Sequence, residues 1–440
     1  MKRFLVLAFI VSSLFGNDQI PGSIQRRPIL LKGGILHTIS GDVLKGYDLL
    51  FANGKIVRID KEILPSPETE VIDIYDIHVT PGFIVPVSQL GLVEIGLVKQ
   101  SRDFAEIGDL NPNVRANISY NPDSEIIPVT RSNGVLLANV NPASGRISGQ
   151  SSLMMLDGWT WEDATLMHPT ALHLNWPNMR ISKSKGPKDT EQKQREKIQK
   201  EIQALDDFIR EAKAYDKRTS VKLLNSVEKQ IVDIRLASMK PYIRGAKPFF
   251  IHANEVRQME AAIRWGNKHQ LEVVIVGGRD AWRITDMLVQ YNIPVILQNV
   301  LTTPMRRFEP IHRPYETPKI LAENGIRFCI APITGYPHNG NIRNLPYEAA
   351  MAVRHGLDME DGLRSITLSA AEILGVEEKV GSLDNGKDAT FFLSDGNPLE
   401  ITSTVVKAFI QGREVDLGDR HKSLYEKYKE KYRQLGKIEQ

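Results

Sequence analysis

One cysteine, Cys329, in 440 residues leaves no intramolecular disulfide to form. It lies inside the apolar stretch Phe328-Cys329-Ile330-Ala331, a poor setting for a nucleophile. A Gly-x-Ser-x-Gly elbow is missing. So is the Gly-Lys-Ser/Thr that ends a phosphate-binding loop, and Gly277-Gly278-Arg279-Asp280 lacks the further spaced glycine of a dinucleotide fingerprint. The net charge is only +3 and spread along the chain, which gives no basis for a nucleic-acid partner. No apolar run is long enough to span a bilayer, so no transmembrane anchor is expected.

What is present begins at the N-terminus. Lys2 and Arg3 precede the apolar run Phe4–Val11 and the small residues Ser12, Ser13 and Gly16. This is the pattern of a signal peptide over residues 1–16, with a mature chain starting near Asn17 in a bacterial periplasm or outside the cell. From Pro28 to Tyr75 short apolar strands alternate with turns, and Asn53-Gly54 is a two-residue hairpin signal. From Pro81 strands alternate with helical stretches, the mark of a parallel α/β fold. Phe83–Val87, Gly134–Val140, Ala171–Trp176, Pro248–His252, Leu271–Val276, Ile293–Asn299 and Ile326–Ala331 read as strands. Ser152–Leu156 supplies either the eighth or an inserted hairpin. A (β/α)8 TIM-like barrel is expected over 81–375, with its active groups at the C-terminal strand ends.

Residues 181–246 form a charged helical section whose stripe of Ile198, Ile202, Leu205, Ile209, Ala212 and Tyr215 predicts a barrel-covering helix. The loop Asn141–Gln150, with Arg146, reads as a structured turn, with anion contact as its functional alternative. Ser369-Ala370-Ala371-Glu372 is a capping box for a helix stopping at Gly375. Strand character returns in residues 381–393 and 405–415. The tail 416–440 carries Leu424, Tyr428, Tyr432 and Leu435 on one helical face and is expected to dock on the body, with attraction to an anionic membrane as the lesser alternative.

Several motifs, in order, resemble the amidohydrolase superfamily and within it an imidazolonepropionase-like secreted group. They are Thr80-Pro81-Gly82-Phe83-Ile84, Arg343-Asn344-Leu345-Pro346-Tyr347-Glu348, Leu368-Ser369-Ala370-Ala371-Glu372, Gly381-Ser382-Leu383 with Gly386-Lys387-Asp388-Ala389, and Asp395-Gly396-Asn397-Pro398-Leu399. The resemblance implies that residues 28–80 and 376–415 build one composite β-sandwich beside the barrel. It also implies one or two divalent metals, held by His-x-His on strand 1, histidines ending strands 5 and 6, and an aspartate ending strand 8 that doubles as general base.

The chain departs from that pattern. Val87 and Gln89 stand at the His-x-His positions, Gly277 ends strand 6, and Ile333 or Thr334 stands where the aspartate belongs; only His252 is kept. A catalytic zinc needs about three protein ligands and an open position for water. The expectation is therefore a secreted, non-catalytic protein with no cofactor, binding a small molecule or partner in a pocket around Val87, Gln89, His173, His252, Gly277, Ile333, Thr334 and His338. The alternative is an active hydrolase of non-peptide C–N bonds, acting on cyclic amides, amidines or dipeptide-like substrates. It would use zinc or iron at a site rebuilt from His252, His173 and His338, or at a single-metal site around His252. Oligomeric state is not legible.

Overall fold

The computed structural model describes residues 19–183, 190–222, 232–335 and 338–438; the expected signal peptide lies outside them. Its strands, in chain order, are β1 (Ile29–His37), β2 (Val43–Ala52), β3 (Lys55–Asp60), β4 (Glu70–Asp73), β5 (His78–Pro81), β6 (Phe83–Ser88), β7 (Val135–Val140), β8 (Ile147–Gln150) and β9 (Ser152–Met155). Then follow β10 (Thr165–Met167), β11 (Leu172–Asn175), β12 (Phe249–Ala253), β13 (Val273–Gly277), β14 (Val295–Gln298), β15 (Phe328–Ala331), β16 (Phe391–Ser394), β17 (Val405–Ile410) and β18 (Arg413–Glu414).

Both flanks of the chain meet in one sheet, ordered β18-β17-β16-β5-β1-β2-β3, with β4 also on β1. The seam is β16 antiparallel to β5, joining Phe391 to Pro81 and Leu393 to Val79. Asn53 and Gly54, both at positive φ (51° and 78°), turn β2 into β3 as the hairpin signal requires. The sheet also curls. Phe51 on β2 and Phe391 on β16 lie three strand steps apart, roughly 14 Å along a flat sheet, yet their ring centroids are 5.3 Å apart. Phe409 completes the aromatic centre, 5.0 Å from Phe51. These rings anchor a small core separate from the large one. Gly82 carries the chain from this module into the barrel, where a Cβ would sit 2.8 Å from Leu136.

In the barrel, β6 pairs parallel with β7, and β11 through β15 form a continuous parallel run. The ring closes where β15 lies against β6. Between β7 and β11 the pairing differs from an all-parallel expectation. Residues 147–155 run antiparallel to both neighbours: β9 pairs with β7, β8 pairs with β11, and Ser151 is the break between them. This stave is hairpinned to β7 through the 141–146 loop, which is too short for a crossover helix.

The helix Glu191–Lys222 covers the barrel through buried Leu205, Phe208, Ile209, Ala212 and Tyr215. Asp206 on it accepts hydrogen bonds from Trp265 Nε1 at 3.0 Å and Lys268 Nζ at 2.7 Å, and lies 2.6 Å from His269 Nε2. Two sequence expectations are corrected. The helix Leu368–Leu374 starts two residues early, with Thr367 rather than Ser369 at its N-cap and no side-chain cap; Gly375 still ends it at φ 69°. The tail helix Arg420–Gln434 has no buried residue, so it does not dock along its length.

Candidate functional site

The C-terminal ends of the barrel strands converge on a cavity of about 360 Å³. Val87 and Gln89 at the end of β6, His252 on β12, and Ile333 and Thr334 beyond β15 all line it. His173 is brought near but not into the cavity. It is fully buried on β11, beneath His252. Gly277 and His338 are not among the lining residues. Gly277 instead makes room for a neighbouring amide, since at φ 103° a Cβ there would lie 2.6 Å from Oδ1 of Asn254.

His252 and His173 form a closed pair. Nδ1 of His173 lies 2.9 Å from Nε2 of His252, and the rings are 5.2 Å apart. One nitrogen must donate and the other accept, which requires at least one neutral ring. Burial holds both well below the ordinary histidine value, His252 at about 4, and the neighbouring His252 depresses His173 further. Both are neutral near pH 7. Nε2 of His173 is buried without a partner.

The donor set does not fit a catalytic zinc or iron. The Nε2 of His252 is already engaged by His173. Among the described residues no carboxylate lines the cavity, and no three His, Cys, Asp or Glu side chains are grouped to hold a metal. Val87 offers no donor and amide oxygens are weak ligands for these ions. The set of His252, His173 and His338 is likewise not assembled into such a group.

Carboxamides make up much of the wall: Gln89, Asn141, Asn175, Asn254, Gln298 and Asn299. Two of these are structural. Asn175 donates to Gly145 O at 2.8 Å and Ser148 Oγ at 3.0 Å, and Asn141 donates to Pro142 O at 3.1 Å, although its Oδ1 is left buried and unpaired. The side-chain amides of Gln89, Asn254, Gln298 and Asn299 make no hydrogen bond to the described protein. Among the described residues Arg279 is the one charged lining residue, and its guanidinium donates to Thr303 O at 2.8 Å. Arg146, considered for anion contact, is instead spent on Asn175 O at 2.6 Å and Glu201 at 2.7 Å. Of these six amides only Gln89 is expected from the sequence as a pocket residue, and the other five are missed. Their signal was available: Val140-Asn141, Leu174-Asn175, Ala253-Asn254 and Leu297-Gln298-Asn299 each put an amide where a strand ends.

Comparison with known proteins agrees with this architecture. A model of the amidohydrolase family matches residues 315–416. No curated protein sequence matches the chain. Among solved structures, an amidohydrolase from Thermotoga maritima MSB8 is 26% identical with a TM-score of 0.77, covering 88% of this chain and 99% of its own. A prolidase complexed with N-methylphosphonate-L-proline is 15% identical, with a TM-score of 0.53 over 88% of this chain and 99% of its own. For a putative prolidase from Bifidobacterium longum the figures are 14%, 0.53, 92% and 100%. At such identities the two prolidases speak for the fold alone. With the barrel joined to a sheet built from both flanks, the family match in its C-terminal part and the full-length likeness to the Thermotoga protein, the chain is similar to the amidohydrolase superfamily in fold and in its C-terminal sequence.

Proposed function

We propose that this chain is an exported amidohydrolase-like protein that has given up metal-dependent hydrolysis and binds a small, uncharged, hydrogen-bonding molecule in the former active-site cavity. The observation that carries the reading is the wall itself: among the described residues it has four free carboxamides, a neutral His252 and no carboxylate. Each carboxamide presents donors and an acceptor side by side. Such a wall matches a solute with alternating donors and acceptors, a polyol or a neutral amide, and with Arg279 as its charged lining residue gives a cationic ligand no advantage. Hydrolysis of a C–N bond needs an activated water, and a metal generates one by bringing the water's pKa to roughly 7. Among the described residues neither a ligand set nor a carboxylate base faces the cavity. Export is supported by Lys2, Arg3 and the Phe4–Val11 run.

The deciding experiment is metal analysis of protein purified from its native compartment, with hydrolysis assays on cyclic amides, dipeptides and lactones with and without chelator. The expected result is well under one equivalent of zinc, iron or manganese and no chelator-sensitive turnover. A stoichiometric metal lost in a His252→Ala variant would overturn the proposal and restore the hydrolase reading.

A further inference from the structure

The helix Arg420–Gln434 is held to the body at its start. Asp419 Oδ1 accepts from the backbone N–H of His421 at 2.7 Å and of Lys422 at 3.0 Å. Arg343 Nη1 lies 2.9 Å from His421 Nδ1. Beyond that first turn the helix presents a sorted surface. At about 100° per residue, Leu424, Tyr425, Tyr428, Tyr432 and Leu435 share one arc roughly 100° wide. All are exposed, by 40%, 63%, 51%, 45% and 56%. Arg420, Lys427 and Lys431 run along one border of the arc, and Lys422, Lys429 and Arg433 along the other. The two glutamates, Glu426 and Glu430, fall on the far side.

Charge is concentrated here as well. Residues 420–437 hold seven Lys/Arg and two Glu, a net of +5, in a chain whose total is +3, so the rest of the protein is at −2. Lys429 lies 5.6 Å from the ring of Tyr425 and Lys431 5.8 Å from that of Tyr428, so amines sit beside the rings. An apolar arc rich in tyrosine, bordered on both sides by amines and backed by carboxylates, has the form of a helix lying in the plane of a lipid interface. There the rings enter the headgroup boundary, the amines reach anionic headgroups, and the glutamates face water. A soluble protein partner requires no such symmetric double border. Among the described residues no helix is long and apolar enough to cross a membrane.

We infer that residues 420–437 dock this protein on an anionic lipid bilayer surface, with Leu424, Tyr428, Tyr432 and Leu435 inserted. The test is co-sedimentation of the full chain with phosphatidylcholine vesicles, pure or with one third phosphatidylglycerol. Partition is expected to be about tenfold or more stronger on the anionic vesicles and largely lost at about 0.5 M salt. Lys427→Glu with Lys431→Glu, and separately Leu424→Ser with Tyr428→Ser and Tyr432→Ser, should each lower it about tenfold with an unchanged thermal midpoint, since all five side chains are exposed. Equal partition into both vesicle types, or partition indifferent to both variants, overturns the inference. So does a lipid-free dimer in sedimentation equilibrium that the same substitutions dissolve, which would assign the arc to a second copy.

Discussion

Replacing His252 by asparagine should flatten the acid side of this protein's stability curve. In the fold His252 is neutral because burial lowers its pKa from 6.5 to about 4, while in the unfolded chain it titrates at its ordinary value. Between those values the unfolded state binds the proton and the folded state does not. Stability is therefore fully present above about pH 6.5 and is lost as pH falls toward 4. Full titration is worth about 3 kcal/mol, and by about pH 5 the loss reaches about 2 kcal/mol. Guanidinium unfolding at about pH 8 and pH 5 measures this as the change in unfolding free energy between the two conditions. Asparagine keeps an amide opposite Nδ1 of His173 and cannot titrate in this range. The variant should thus lose about 2 kcal/mol less than wild type on acidification. Groups that do not touch His252 cancel in the comparison. An identical pH dependence in the two proteins would refute the closed, neutral pairing of His252 with His173.

Three further outcomes are expected. Val87→His, Gln89→His and Thr334→Asp together should raise bound zinc from well below one equivalent to about one, read by elemental analysis after dialysis; no gain would show that these positions are not the ligand positions of the fold. Asp157, buried and 3.2 Å from Arg131, also accepts from Gly22 N at 3.1 Å, so Asp157→Ala strands a buried guanidinium and should destabilise by about 3–5 kcal/mol in chemical unfolding. The thiol of Cys329 is fully buried and pushed up by desolvation, so it should react with a thiol reagent only after denaturant is added; fast reaction of the native protein would contradict its place in β15.

Much of this protein is written in local sequence. Asn53-Gly54 sets a hairpin because both residues tolerate positive φ. Alternation of apolar strands with helical stretches specifies an α/β middle, and Val87, Gln89 and Gly277 depart from the metal-ligand pattern of the family that the chain resembles. What local patterns cannot carry is pairing between distant segments. A buried strand has the same apolar signature in either direction, so only the ladder to β7 and β11 reveals that residues 147–155 run antiparallel. Asn254 and Gln298 are 44 positions apart, and only closure of the barrel brings them into one wall with Gln89. His173 is an ordinary strand residue until parallel pairing of β11 with β12 sets its Nδ1 against His252. The tail helix shows the converse limit. Its amphipathic period is plain in the sequence, but periodicity states that an apolar face exists and not what covers it; tertiary packing leaves that face open.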